Sequence, residues 1–171
     1  MRTIVVAPYD PAWPGEFARI RDFLWPHVSE LALDIVHVGS TSVPGLAAKP
    51  IIDLVIVMES YAVFPALKTR LEALGYRHNG DQGIPTREVF KGGPAGFMNY
   101  HLYVSPRDGP EHLRGLLFRD WLRTHDDDRD AYAALKRKLK EKFEHDRDGY
   151  TDAKSGFIKA VTKLAKNIAE E

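Results

Sequence analysis

Apolar positions along the chain recur at helical spacing, then at strand spacing, and the two periods alternate through its first two-thirds. Trp13, Phe17, Ile20, Leu24 and Val28 fall three or four residues apart. That period predicts an amphipathic helix whose apolar stripe covers a sheet. Ile4-Val5-Val6 is a short β-like run ahead of it, and Asp10-Pro11 has the form of an N-cap followed by a first-turn proline. Ile35 to Val38 and Ile51 to Val57 are β-like runs bounded by turn formers. The second is too apolar to be an exposed edge and predicts a strand buried on both faces. Val63, Leu67, Leu71 and Leu74 mark a second helix, with Gly75 as its stop. Residues 76–98 are rich in glycine and proline and hold one short candidate strand, Glu88 to Lys91, before Tyr100 to Val104 supplies another.

From Pro110 onward strand signals vanish. Helical stripes follow at Leu113, Leu117 and Trp121, then Tyr132, Leu135, Leu139 and Phe143, then Phe157, Val161, Leu164 and Ile168. Asp126-Asp127-Asp128 reads as the acidic first turn of a helix, where negative charge is favoured, and not as a metal site. The pattern predicts one domain over 1–171: an α/β layer over 1–105, with a helical extension over 106–171 packed beside it.

Composition narrows the chemistry. The chain has no cysteine, which removes disulfides, thiolate metal sites and cysteine nucleophiles. No apolar run is long enough to cross a membrane. Asp10 and two prolines interrupt the N-terminus too early for a secretory signal, so the expected location is the cytoplasm. The 24 basic residues balance the 24 acidic ones. A general affinity for nucleic acid normally leaves a basic excess, so that partner is disfavoured.

The densest chemical signal runs from His37-Val38-Gly39-Ser40-Thr41-Ser42 through Lys49-Pro50 into Ile51-Ile52-Asp53. A strand leading into Gly-Ser exposes backbone N–H groups beside three hydroxyls, an arrangement able to cradle phosphate oxygens. Gly39 permits close approach of a ligand. Lys49 adds a cation, and Asp53 lies on a buried-looking strand, where a carboxylate is costly unless paired. The alternative reading is a Ser/Thr-rich turn with Asp53 satisfied by local N–H donors, and the residues alone leave both open. His37, Arg87, Lys91 and His101 alternate with apolar residues, so some of them are expected in the same cleft. Arg87 and Lys91, four apart on a strand, share a face suited to an anion. Phe17, Trp25, Trp121 and Phe143 are expected in the core.

The stretch HVGSTSVPGLAAKPIIDLVI closely resembles the hallmark of the GrpB family. Later blocks extend the resemblance along nearly the whole chain: Tyr9-Asp10-Pro11-x-Trp13, Asn99 to Val104, Leu117 to Arg123, Tyr132-x-x-Leu135-Lys136 and Tyr150-x-x-x-Lys154. The resemblance implies a nucleotidyltransferase-like mixed sheet flanked by helices, with a C-terminal helical extension. It raises the expectation that Tyr132, Lys136, Tyr150 and Lys154 line the cleft. Family members also occur fused to dephospho-coenzyme A kinase, which points toward nucleotide or coenzyme chemistry. The wider superfamily holds triphosphate on Gly-Ser and two metals on an Asp-x-Asp strand plus a third carboxylate. Here Asp53 matches the first acid, Val55 stands at the second and His101 where the third is expected. On that reading Asp53 and His101 are the catalytic candidates, Asp53 and Glu88 the ligands of Mg2+ or Mn2+, and Gly39, Ser40, Thr41, Lys49, Arg87, Lys91, Lys136 and Lys154 the contacts to a nucleotide or phosphorylated small molecule. The leading expectation is nucleotidyl or phosphoryl transfer to a small molecule. A non-catalytic domain binding nucleotide or another anionic metabolite is the alternative, and an RNA-modifying enzyme has less support.

Overall fold

The computed structural model describes residues 3–170. Five strands form one sheet in the order β1-β2-β5-β4-β3. They are β1 (Asp34–Val38), β2 (Ile52–Met58), β3 (Tyr76–His78), β4 (Glu88–Gly92) and β5 (Tyr100–Pro106). Only β2 and β5 run parallel; the other pairings are antiparallel. The apolar run of β2 sits at the centre of this mixed sheet, with Ile52, Leu54, Ile56 and Met58 fully buried and Val55 and Val57 nearly so. Asp53 is the one polar interruption.

One face of the sheet is covered by α1 (Trp13–Val28) and α2 (Phe64–Ala73). Trp13, Ile20, Leu24 and Val28 on α1 and Leu67 and Leu71 on α2 close the main core against Leu54, Ile56, Leu102 and Val104. The helical period predicted this stripe, and Gly75, at φ +97°, ends α2 as expected. Asp10 is not the N-cap, a position held by Ala12; it closes a turn just ahead of the helix. Its carboxylate accepts from the Ala12 N–H at 2.9 Å, and the helix begins only at Trp13, with Pro14 in its first turn. Ile4-Val5-Val6 is not a strand. The adjoining backbone makes a single bridge, Ala7 to Ala48, while Ile4 is buried against Leu139 and Tyr150. Strand β3 went unpredicted because three residues beside a glycine-rich loop carry no measurable alternation.

Three helices follow: α3 (Pro110–Thr124), α4 (Asp126–Lys142) and α5 (Arg147–Ala169). Asp126 to Asp128 form the acidic first turn of α4, as the sequence indicated. The helices pack on the loop between β1 and β2 more than on the sheet: Leu122, Tyr132 and Ala133 bury Val43, Leu46 and Ala47. Leu113, Leu164 and Ile168, expected in apolar stripes, are exposed, so the stripes are narrower than the period implied. Among the described residues, no helix is long and apolar enough to cross a membrane.

Candidate functional site

Strand alternation sorts the candidate residues onto two faces. Cross-strand partners share a face, and the register pairs Val38 with Asp53 and Asp53 with His101. These residues, with Val55 and Tyr103, point away from α1 and α2 toward the C-terminal helices. His37 pairs with Leu54 and so falls on the opposite face. It is buried, stacks on Phe17 at 4.8 Å, and meets Thr41 Oγ1 at 2.9 Å. Burial, reinforced by Arg123 and Arg119, lowers its pKa to about 4, so His37 is a neutral structural residue and not part of the cleft.

The same alternation corrects the position of Glu88. It pairs with Val104 on the core face, where its carboxylate meets His78 Nε2 at 3.1 Å and the Tyr61 hydroxyl at 3.3 Å. Glu88 and Asp53 therefore lie on opposite faces and cannot share an ion. Lys91 is exposed on β4 beside Arg77 and lines neither cavity described below.

The Gly-Ser turn is built by a close approach. Gly39 adopts φ +73°, and a Cβ there would overlap the Asp53 carboxylate. Only glycine therefore lets β1 end directly over Asp53. Ser40 to Ser42 form one helical turn, closed by Ser42 Oγ donating to the Gly39 carbonyl at 2.5 Å. Arginines of the C-terminal helices hold this loop from outside. Arg119 donates to the His37 carbonyl at 3.0 Å, Arg123 to that of Ser42 at 2.9 Å and Arg129 to that of Pro44 at 3.4 Å.

A cavity of about 290 Å³ opens between this turn, β2, β5 and the last two helices. Ser40, Thr41, Lys49, Asp53, His101, Lys136 and Lys154 line it, together with Arg147, Tyr103 and Tyr150. The structure thus brings together seven sequence-predicted residues, with Gly39 bordering an adjoining cavity beside Asp53. Lys136, only 2 % exposed, donates to Ser40 Oγ at 3.1 Å and lies 4.6 Å from the centre of the Tyr132 ring. Lys49 and Lys154 flank the Tyr150 ring at 4.7 and 4.5 Å. Burial and neighbouring cations push Lys136 down to about 7 and Lys154 to about 8, and lower Lys49 by the same two causes. Asp53 accepts from His101 Nδ1 at 2.9 Å, which fixes the ring and leaves Nε2 free of that contact. Four basic side chains thus face one carboxylate, and an anionic ligand that restores their full charge is favoured there.

Residues 3–164 match the family described as GrpB protein. The chain belongs to the GrpB family. A GrpB relative from Halalkalibacterium halodurans, UPF0157 protein BH1888, is 40% identical, covering 95% of this chain and 83% of its own. The crystal structure of conserved protein GrpB from Enterococcus faecalis superimposes with a TM-score of 0.85 at 33% identity, covering 98% of this chain and all of that one. A dephospho-CoA kinase from Mycolicibacterium paratuberculosis is 30% identical across 96% of this GrpB chain, which spans 46% of that protein. The Cid1 poly(U) polymerase in its MgGTP-bound form aligns at TM-score 0.54 and 15% identity, over 77% of this chain and 42% of its own. The fold is therefore nucleotidyltransferase-like.

Arg147 and Arg129 escaped the sequence reading, while Tyr103, Arg119 and Arg123 entered it only inside blocks that resemble the family, with no role given to them. Arg147 is one cation in a charged helix start, and the clamp arginines matter through which carbonyls they reach; no local pattern encodes either. The donor set also bears on metal. The described residues contain no cluster of three His, Asp or Glu side chains able to hold an ion. Magnesium prefers several oxygen ligands in octahedral geometry. Asp53 alone, with one oxygen engaged by His101, does not fit a resident two-metal centre.

Proposed function

We propose that this protein is a transferase that moves a nucleotidyl or phosphoryl group from a nucleotide to a small acceptor. The observation carrying this reading is the convergence of Lys49, Lys136, Lys154 and Arg147 on the Ser40 turn beside Asp53. A single phosphate carries about −1.5 to −2 charges at neutral pH. Four cations in a half-enclosed cavity match a polyphosphate better than any neutral ligand. With the polyphosphate held there, Asp53 and His101 lie at its edge. Asp53 takes the proton of an attacking hydroxyl, the new oxygen–phosphorus bond forms, and the bond to the departing phosphate breaks with its electron pair. Lysines around the leaving group neutralise the charge that develops on it.

That a segment similar to this chain forms part of a protein named dephospho-CoA kinase supports a nucleotide as donor. One observation favours a second reading, non-catalytic binding of the same anions: Val55, at the usual position of a second acid, is 6 % exposed and packs as an apolar wall. Asp53→Asn separates the two. The protein is incubated with ATP, GTP or coenzyme A, binding is followed by thermal shift, and turnover by phosphorus NMR with a pooled set of small metabolites. The transferase reading expects turnover by the native chain, and a variant that binds nucleotide but turns over at least about a hundredfold more slowly. Nucleotide binding with no turnover by the native chain supports the binding reading, and stabilisation by RNA but not by mononucleotides sinks both.

A further inference from the structure

A second cavity of about 190 Å³ adjoins the cationic one, and Asp53 and Tyr103 line both. Val38 and Val55 form its apolar wall, and Arg87, Glu111 and His112 supply its polar groups. It is smaller than the roughly 300–1,000 Å³ that whole drug-sized ligands occupy, so it suits a fragment-sized partner.

Two of its polar groups have no partner within the protein. Arg87 Nε and His112 Nδ1 are buried without any hydrogen-bond partner. His112 is 8 % exposed, and burial followed by the Arg119 charge lowers its pKa. Arg87 has no carboxylate partner among the described residues. Its guanidinium carbon lies 4.8 Å from the centre of the Tyr103 ring, a cation–aromatic contact that uses none of its N–H donors. The residue before it, Thr86, sits at φ +68°. A β-branched side chain rarely adopts this conformation, and its hydroxyl is also buried unpaired. Arg87 and His112 thus bring two unpaired buried nitrogens to the lining of one cavity, with a strained residue next to Arg87 in the chain, a combination that is found at ligand clamps.

Charge distinguishes the two cavities. The first sets four cations against Asp53; the second sets Arg87 against Asp53 and Glu111. Glu111 also meets Arg114 along α3, an i,i+3 helix pair of small worth whose Arg114 side is about half exposed. A polyphosphate is repelled from the second cavity, whereas a molecule carrying both charges is matched there.

We propose that the second cavity is the acceptor subsite and takes a small hydroxylated α-amino acid. Its carboxylate fits the Arg87 fork, its ammonium group faces Glu111, and its hydroxyl reaches Asp53 at the junction of the cavities. This rests on the transferase reading for the final step alone. There the amino-acid hydroxyl oxygen bonds to phosphorus, its proton passes to Asp53, and the bond to the departing phosphate breaks.

L-Serine, ethanolamine (no carboxylate) and ATP are titrated into the full chain and followed by two-dimensional NMR. L-Serine is expected to shift resonances around Arg87, His112 and Gly115, and to bind at least about tenfold more tightly than ethanolamine, the range for a charge-assisted bond. Arg87→Gln is expected to lower serine affinity at least about tenfold while leaving ATP binding intact, which also shows that the variant folds. Arg87→Lys falls between, since it keeps the charge and loses the fork. Lys136→Met loses ATP and keeps serine. The proposal is overturned if serine does not bind, if Arg87→Gln binds it as the native chain does, or if serine shifts map to Lys136 and Lys154. If serine binds through Arg87 but ATP binds nowhere, the amino-acid subsite stands and the transferase reading falls.

Discussion

Replacing Lys136 by Met should make the unliganded protein more stable at neutral pH while removing its grip on anions. The ammonium group is buried, and its pKa falls from 10.5 to about 7 through burial first and the charges of Lys154, Arg137 and Lys49 next. That difference corresponds to a penalty of about 5 kcal/mol on holding the charge in the folded state. The unfolded chain binds the proton more tightly between about pH 7 and 10.5, so this penalty is fully present below pH 7. It fades as pH rises through that window, and stability rises with it. Methionine removes the penalty at similar volume. It also forfeits the bond to Ser40, about 1 kcal/mol, and the Tyr132 contact, about 0.5–2 kcal/mol. The net expectation is a gain of about 2–3 kcal/mol at pH 7, shrinking to zero or below near pH 10.5. Urea denaturation of both proteins at pH 7, 8.5 and 10 measures the difference directly. A variant less stable than the native chain at pH 7, or a gap that does not change with pH, would refute the reasoning.

The same lysines make anion affinity pH-dependent: lowering pH from about 9 to 6.5 protonates Lys154 and then Lys136, so ATP should bind several-fold more tightly, as calorimetry at matched ionic strength can check. Gly39→Ala places a side chain against Asp53 at a left-handed φ and should cost about 2 kcal/mol or more and abolish ATP binding; retained binding would mean the turn does not contact the ligand. Glu88→Gln should leave ATP affinity unchanged while losing about 1 kcal/mol through His78 and Tyr61; a large loss of nucleotide affinity would contradict its placement on the core face. Magnesium titrated into the unliganded chain should bind weakly, and more tightly once ATP supplies phosphate oxygens; tight binding that survives Asp53→Ala would place the ion elsewhere.

Much of this fold was legible because its signals are periodic. The α1 stripe, the apolar β2 run and the α4 acidic start each repeat a chemical character over several residues. The site was legible where residues cluster in sequence, from Gly39 to Asp53, and Lys136 and Lys154 came from the resemblance to the family. What failed was the face on which a residue points. His37 and Glu88 each lie one position out of phase with the cleft. A one-residue shift in strand register inverts every side chain, and register is set by pairing between distant segments. Composition hid the electrostatics as well. A chain with zero formal charge gathers four basic side chains in one cavity because Asp53 is the one acidic residue among the residues that line it. Of the second cavity the pattern offered Arg87 as an anion contact but not its neighbours, since Arg87, Glu111 and His112 come together only in the folded chain.

The arginine clamp on the β1–β2 loop divides the cations of this protein by trade. Arg119, Arg123 and Arg129 end on backbone carbonyls, so their charge is committed to shaping a loop, while the lysines keep theirs for whatever enters. The turn that meets the ligand is thereby fastened by parts of the chain encoded some eighty residues downstream. A shortened version ending after the sheet would retain every glycine and serine of the hallmark segment and yet present it as a loose flap. Grafting that segment alone onto another scaffold would transplant the letters without the tension that gives them meaning.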